Sequence, residues 1–172
     1  MLKIARSLGQ LDFSALMNVY AEGNILNGKA FYPNESAQQQ LCNAEQDFYH
    51  YLKSVFFRQC DSWYAIWESQ GRYVSALRVE PYSDGYLLCA LETASDVRQR
   101  GYAVTLVSTV QKHLAKQGSG VLYSHVSKTN AASLAVHRKC GFQIVMDHAV
   151  YSDGSVLQNC YTLAYAYEKS ET

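Results

Sequence analysis

At Ser62 the period of the apolar residues changes, and that change limits the architectures open to this chain more than any other feature. Before it, apolar side chains recur every three or four residues, the spacing of one helix face. After it come three short runs rich in aromatic, β-branched and leucine residues, with tight turns between them. The runs are Trp63 to Trp67, Arg72 to Glu80 and Tyr86 to Thr93, separated by Ser69-Gln70-Gly71 and Ser83-Asp84-Gly85. Connections this short predict three antiparallel strands.

The flanking segments complete an α+β pattern. Upstream, Leu2 to Arg6 reads as a short strand, and Asp12 caps a helix carrying Phe13, Leu16, Met17 and Tyr20 on one face. Gly23 to Asn34 reads as a loop. Ser36, with Gln39 three residues on, opens a second helix that runs to about Gln59, with Leu41, Phe48, Leu52, Val55 and Phe56 as its core stripe. Downstream, Ala103, Leu106, Val107, Val110 and Leu114 mark a helix that ends at Gly118-Ser119-Gly120, before a strand from Val121 to Val126. Thr129 or Asn130 then caps a short helix closed by Gly141, and Phe142 to Tyr151 and Val156 to Tyr167 flank Asp153-Gly154 as a terminal hairpin. With no repeat or linker, residues 1–172 are expected to form one domain.

Charge and cysteine usage narrow the function. Lys and Arg together number 15, as do Asp and Glu, so no basic surplus drives binding to nucleic acid or to anionic membrane. The five cysteines form no C-x-x-C pair, and His50, His113, His125 and His148 show no metal spacing. A reduced, cytoplasmic setting without a metal is expected. No apolar run approaches the roughly 20 residues that span a bilayer.

One strand-to-turn-to-helix stretch carries chemistry: Leu91-Glu92-Thr93-Ala94-Ser95-Asp96-Val97-Arg98-Gln99-Arg100-Gly101-Tyr102-Ala103. Unpartnered N–H groups at a helix start and the helix dipole favour an anion, and Gly101 and Ala103 leave room for a close pyrophosphate. Arg98 and Arg100 add positive charge there. About 30 residues on, Asn130-Ala131-Ala132-Ser133-Leu134-Ala135-Val136-His137-Arg138-Lys139-Cys140-Gly141-Phe142 falls on the helix after the next strand.

These two stretches together resemble the GNAT superfamily of N-acetyltransferases. Arg98, Gly101 and Ala103 match its [Q/R]-x-x-G-x-[G/A] loop. Asn130, Ser133, His137, Gly141 and Phe142 match its N-x-x-[A/S] and [Y/H]-x-x-x-G-F pattern. The resemblance implies a GNAT-type fold: a mixed, mostly antiparallel sheet with helices on both faces and a fourth and fifth strand that splay apart. It implies acetyl-CoA as cosubstrate. Main-chain groups of Leu91, Glu92 and Thr93 would bind the pantetheine arm and thioester, and the amides of Gln99, Arg100, Gly101, Tyr102, Ala103 and Val104 the pyrophosphate, with Arg98, Asn130 and Ser133 beside them. Asn130 would contact pantetheine or simply cap its helix. Arg138, Lys139 and Lys128 would approach the 3′-phosphate or form a solvated face.

Direct transfer of an acetyl group to a primary amine, on a small molecule or on a peptide or protein, is the implied reaction. Glu92 is the expected general base, against a solvated strand carboxylate. His137 stands where most members place a tyrosine, and would protonate the leaving sulfur, donate it a hydrogen bond, or pack behind the cofactor. On a regularly alternating strand Glu92 and Ala90 share one face. The acceptor pocket is expected between Asn24 to Asn34, the fourth strand and the hairpin. Tyr20, Phe31, Tyr32, Tyr86, Tyr151 and Tyr161 are candidate aromatic walls for a cationic amine or an apolar amino acid, or else core and rim. A catalytically weak acyl-CoA sensor is the other reading, and the resemblance leaves room for a homodimer.

Overall fold

The computed structural model describes residues 1–170. Seven strands form the main sheet: β1 (Leu2–Ala5), β2 (Trp63–Ser69), β3 (Arg72–Tyr82), β4 (Gly85–Thr93), β5 (Gly120–Ser127), β6 (Gln143–Met146) and β9 (Cys160–Tyr167). Between β6 and β9 in the chain, β7 (Ala149–Val150) and β8 (Val156–Leu157) make a separate ribbon. The order across the main sheet is β1-β2-β3-β4-β5-β9-β6, antiparallel throughout except for the parallel pair β4 and β5.

Helices cover both faces. On one, α1 (Phe13–Val19) and α3 (Ala37–Ser54) bury Leu16, Met17 and Leu52 with Phe56 against Tyr64, Ile66 and Ala76 of β2 and β3. On the other, α4 (Tyr102–Ala115) and α5 (Ala131–Lys139) close over Leu77, Val79, Leu88, Leu122 and Leu163. The caps form as their residues predict: Asp12 accepts from the Ala15 amide at 2.9 Å, Ser36 from Gln39 at 3.3 Å and Asn130 from Ser133 at 3.0 Å. This is a mixed α+β fold with a mostly antiparallel sheet.

Three expectations change. The segment read as a loop from Gly23 is largely a helix, α2 (Ala21–Phe31). Its glycines mislead because Gly28 serves packing rather than a turn: a Cβ there would lie 2.5 Å from the Gln40 carbonyl oxygen, so only glycine lets α2 lie this close to α3. The following helix stops at Ser54 and continues only as a 3₁₀ turn, Phe56–Arg58. The terminal hairpin is interrupted: Asp153-Gly154 joins only the two-residue β7 and β8, while β6 pairs with β9 in the main sheet.

A bulge in β4 decides which side chains face which helices. Arg78 pairs with Cys89 but Ala76 pairs with Glu92, so β4 carries one extra residue there, and Ala90 adopts φ +50°. Regular alternation would place Glu92 with Ala90 and Leu88, under α4. The bulge moves it to the face of Ala76, Arg78 and Cys89, beneath α1 and α3. Tyr20 holds the bulge by donating its hydroxyl to the Ala90 carbonyl at 2.7 Å.

Candidate active site

Strands β4 and β5 pair only at Tyr86 with Leu122, Leu87 with Tyr123 and Leu88 with Ser124. Beyond Leu88 they part, and a cleft of about 630 Å³ opens between the end of β4 and helices α4 and α5. Leu91, Glu92 and Thr93 form one wall and Asn130, Ser133, Val136 and Lys139 of α5 the other. Arg98, Gln99 and Gly101 to Val104 close one end. Of the residues expected at the cofactor, only Arg100 does not line the cleft; it is exposed.

The closed end is built for an anion. Gln99 and Gly101 take φ of +63° and +82° on either side of Arg100, so successive amides turn into one concavity. None of the backbone N–H groups from Gln99 to Val104 donates to another backbone group; the first to do so is Thr105, to the Gly101 carbonyl at 2.9 Å. Gly101 is also the N-cap of the 14-residue α4 and supplies no side-chain cap, so its dipole points into the cleft uncompensated. This fits a pyrophosphate without any basic surplus.

Arg98, at this end, is held by three contacts. Its Nη1 lies 2.7 Å from Glu22 Oε2 on α2, its Nε donates to the Thr93 carbonyl at 3.1 Å, and its Nη2 is 3.8 Å from Glu92 Oε2. One guanidinium is thus shared by two carboxylates from separate elements. Glu22 escaped the sequence reading because its helix did. Burial raises the pKa of Glu92, Arg98 works against that rise, and Glu22 adds to it.

His137 lies inside α5, 1% exposed, with its ring edge toward Phe142, and it does not line the cleft. Its Nδ1 is 2.8 Å from the Ser133 carbonyl oxygen, which can only accept, so Nδ1 carries the proton. Nε2 has no partner. Burial lowers the pKa of His137, more strongly than the Ser133 carbonyl raises it. The ring is therefore neutral at pH 7 and its Nε2 is a bare acceptor.

His113 and His125 are shifted down by burial as well. In the unfolded chain all three histidines take up protons near the ordinary pKa of about 6.5, while the folded protein resists. Stability is thus expected to fall as pH drops below about 6.5, until the lowered folded pKa values are passed. Thermal melts across this window check it; His137→Phe should flatten the acid side, and a melting temperature independent of pH there would refute it.

The other expected residues separate. Lys139 lines the cleft, but Lys128 and Arg138 lie across α5 in a second depression of about 410 Å³, with Lys128 Nζ 5.1 Å from the centre of the Tyr161 ring. Tyr86 and Tyr161 pack on the α4 and α5 side. Phe31 is exposed, and Tyr32 bonds Asp47. Tyr20 and Tyr151 remain on the opposite face; Tyr151 covers His125 at 4.9 Å between ring centres.

The chain matches the model of the acetyltransferase (GNAT) family over residues 28–142, two thirds of its length. No curated protein matches it significantly in sequence. Among solved structures it is similar to the ribosomal-protein-S18-alanine N-acetyltransferase of Escherichia coli, at TM-score 0.60 and 17% identity over 99% of this chain and 97% of that one. It is also similar to an aminoglycoside 6'-acetyltransferase type Ii, at 0.62 and 15% over 96% of each chain. A third is the PaiA N-acetyltransferase of Thermoplasma acidophilum in complex with coenzyme A, at 0.61 and 13% over 97% of this chain and 99% of that one. Identities this low speak for a shared fold. The family match adds the sequence evidence, and the chain belongs to the GNAT family of acetyltransferases.

Proposed function

We propose that this protein transfers the acetyl group of acetyl-CoA directly to a primary amine of a small molecule or peptide. The observation that carries the reading is the cleft where β4 and β5 part, closed at one end by unpartnered amides at Gln99 to Val104. Those amides would hold the pyrophosphate. Main-chain groups of Leu91 to Thr93, unpaired toward β5, would hold the pantetheine arm and polarise the thioester oxygen. Asn130, already bonded to the Ser133 amide, would shape the α5 wall. Acetyl-CoA supplies the activated acyl group.

Direct transfer is favoured over an acyl-cysteine. Burial pushes the Cys89 thiol up to about 12 and also raises Cys140, so neither offers a thiolate at neutral pH. Glu92 shares Arg98 with Glu22, which suits it to draw an incoming ammonium toward the end of β4. We assign it that role. His137, with a bare Nε2, accepts a hydrogen bond rather than protonating sulfur.

Thiol release from acetyl-CoA with a mixed panel of amines tests the reading, alongside thermal shift with CoA. Amine-dependent release together with CoA-induced stabilisation is expected. Stabilisation without turnover across a broad panel would favour an acyl-CoA sensor, the reading to which the engaged Glu92 and bare His137 lend support. Absence of any CoA effect would remove both.

A further inference from the structure

On the sheet face opposite α4, one row of side chains crosses the point where β4 and β5 part. Arg78 of β3 stands beside Cys89 of β4, and His125 is the β5 residue just past the last paired position, Ser124. His125 shows no metal spacing in sequence, and the rings around it come from distant parts of the chain. Both of its ring nitrogens are buried and have no hydrogen-bond partner. Two tyrosines hold the ring edge-on, Tyr82 of β3 at 5.3 Å and Tyr151 at 4.9 Å between centres. An imidazole so placed keeps one nitrogen bare at neutral pH without breaking any existing bond.

We propose that His125 takes the proton from the acceptor's ammonium, a role that rests on the acetyl-transfer reading above. Several features support it over Glu92. Glu92 must give up part of its hold on Arg98 to meet an amine, whereas His125 has nothing to release. Burial keeps His125 neutral and hence able to accept. The titratable groups on its face are Tyr64 of β2, Arg78, Glu80 and Tyr82 of β3, Cys89 and Glu92 of β4, Tyr123 of β5, Tyr151 beside β7 and Cys160 of β9. Arg78 and Glu80 lie 3.6 Å apart and offset one another, and Glu92 is engaged by Arg98 at 3.8 Å.

Access runs past Tyr151. It follows β7, whose ribbon with β8 holds only two residue pairs. An R–NH₃⁺ acceptor gives one proton to the bare nitrogen of His125. The freed lone pair of the acceptor amine then forms the C–N bond at the thioester carbon, and the C–S pair leaves on sulfur, which takes a second proton from the acceptor's own nitrogen. The imidazolium returns its proton to water.

The test uses the full chain with tyramine, alaninamide and spermidine as probe amines, following thiol release from acid to alkaline pH. His125→Gln is expected to lower kcat by about 10²-fold, the usual worth of a general base, and to remove the acid limb of the profile. The CoA-dependent thermal shift should persist. Added imidazole should restore turnover to His125→Ala, which a packing role would not allow. Turnover and pH profile unchanged in His125→Gln, or His125→Ala that imidazole fails to rescue, would overturn the assignment while leaving acetyl transfer intact. Wild-type protein stabilised by CoA but inert toward all three probes would overturn acetyl transfer to these amines and the role of His125 with it.

Discussion

Gly101→Glu is expected to abolish the stabilisation that CoA confers. Two effects act at once. Gly101 sits at φ +82°, where a residue with a Cβ costs about 1–2 kcal/mol, and the new carboxylate stands at the α4 N-terminus where the pyrophosphate would bind. A ligand at about 100 times its Kd adds about 2.7 kcal/mol of stability, and that increment should vanish in thermal shift. Gly101→Ala separates the effects: nothing lies within 4 Å of its added Cβ, so it carries the backbone strain without the charge and should keep part of the shift. An undiminished shift in Gly101→Glu would remove the proposed phosphate site.

Phe56→Ala is expected to give the largest loss of stability. Phe56 is fully buried, packs against Phe57 at 4.8 Å and Tyr64 at 5.5 Å between ring centres, and lies under the Arg78 guanidinium at 5.6 Å. Truncating such a ring costs about 3–5 kcal/mol. For a chain of this size that lowers the melting temperature by roughly 6–20 °C. Arg78 would lose part of its aromatic platform, leaving Tyr51 at 4.8 Å. Urea titration reads the change directly; a loss under about 1 kcal/mol would mean that the α1 and α3 side of the sheet is not packed as described.

The turn that closes one end of the cleft was legible in the chain because it is local. A strand, a tight turn and a helix start lie within 13 consecutive residues, Leu91 to Ala103, and their main-chain geometry follows from Gly101 and the helix that it begins. The α5 motif was legible for the same reason: Asn130 caps its helix by the expected bond. The ion pair of Arg98 with Glu22 was not legible, since Glu22 comes from a helix that the glycines concealed. The three cations of α5 and its approach were likewise divided by helix rotation, Lys139 to the cleft and Lys128 with Arg138 to the other side.

By itself, the sequence determined the class of fold, most of its elements, and the tight turn before α4, because hydrophobic period, caps and turn residues act over a few neighbours. Only the tertiary structure decided which side chains share a face. The single extra residue at Ala90 turned Glu92 from the α4 side to that of α1 and α3, and the parting of β4 from β5 put His125 at the edge of the gap. The bulge is set by how Arg78 and Tyr20, the latter bonded by Tyr64, meet β4 from distant parts of the chain, and no local period records such a meeting.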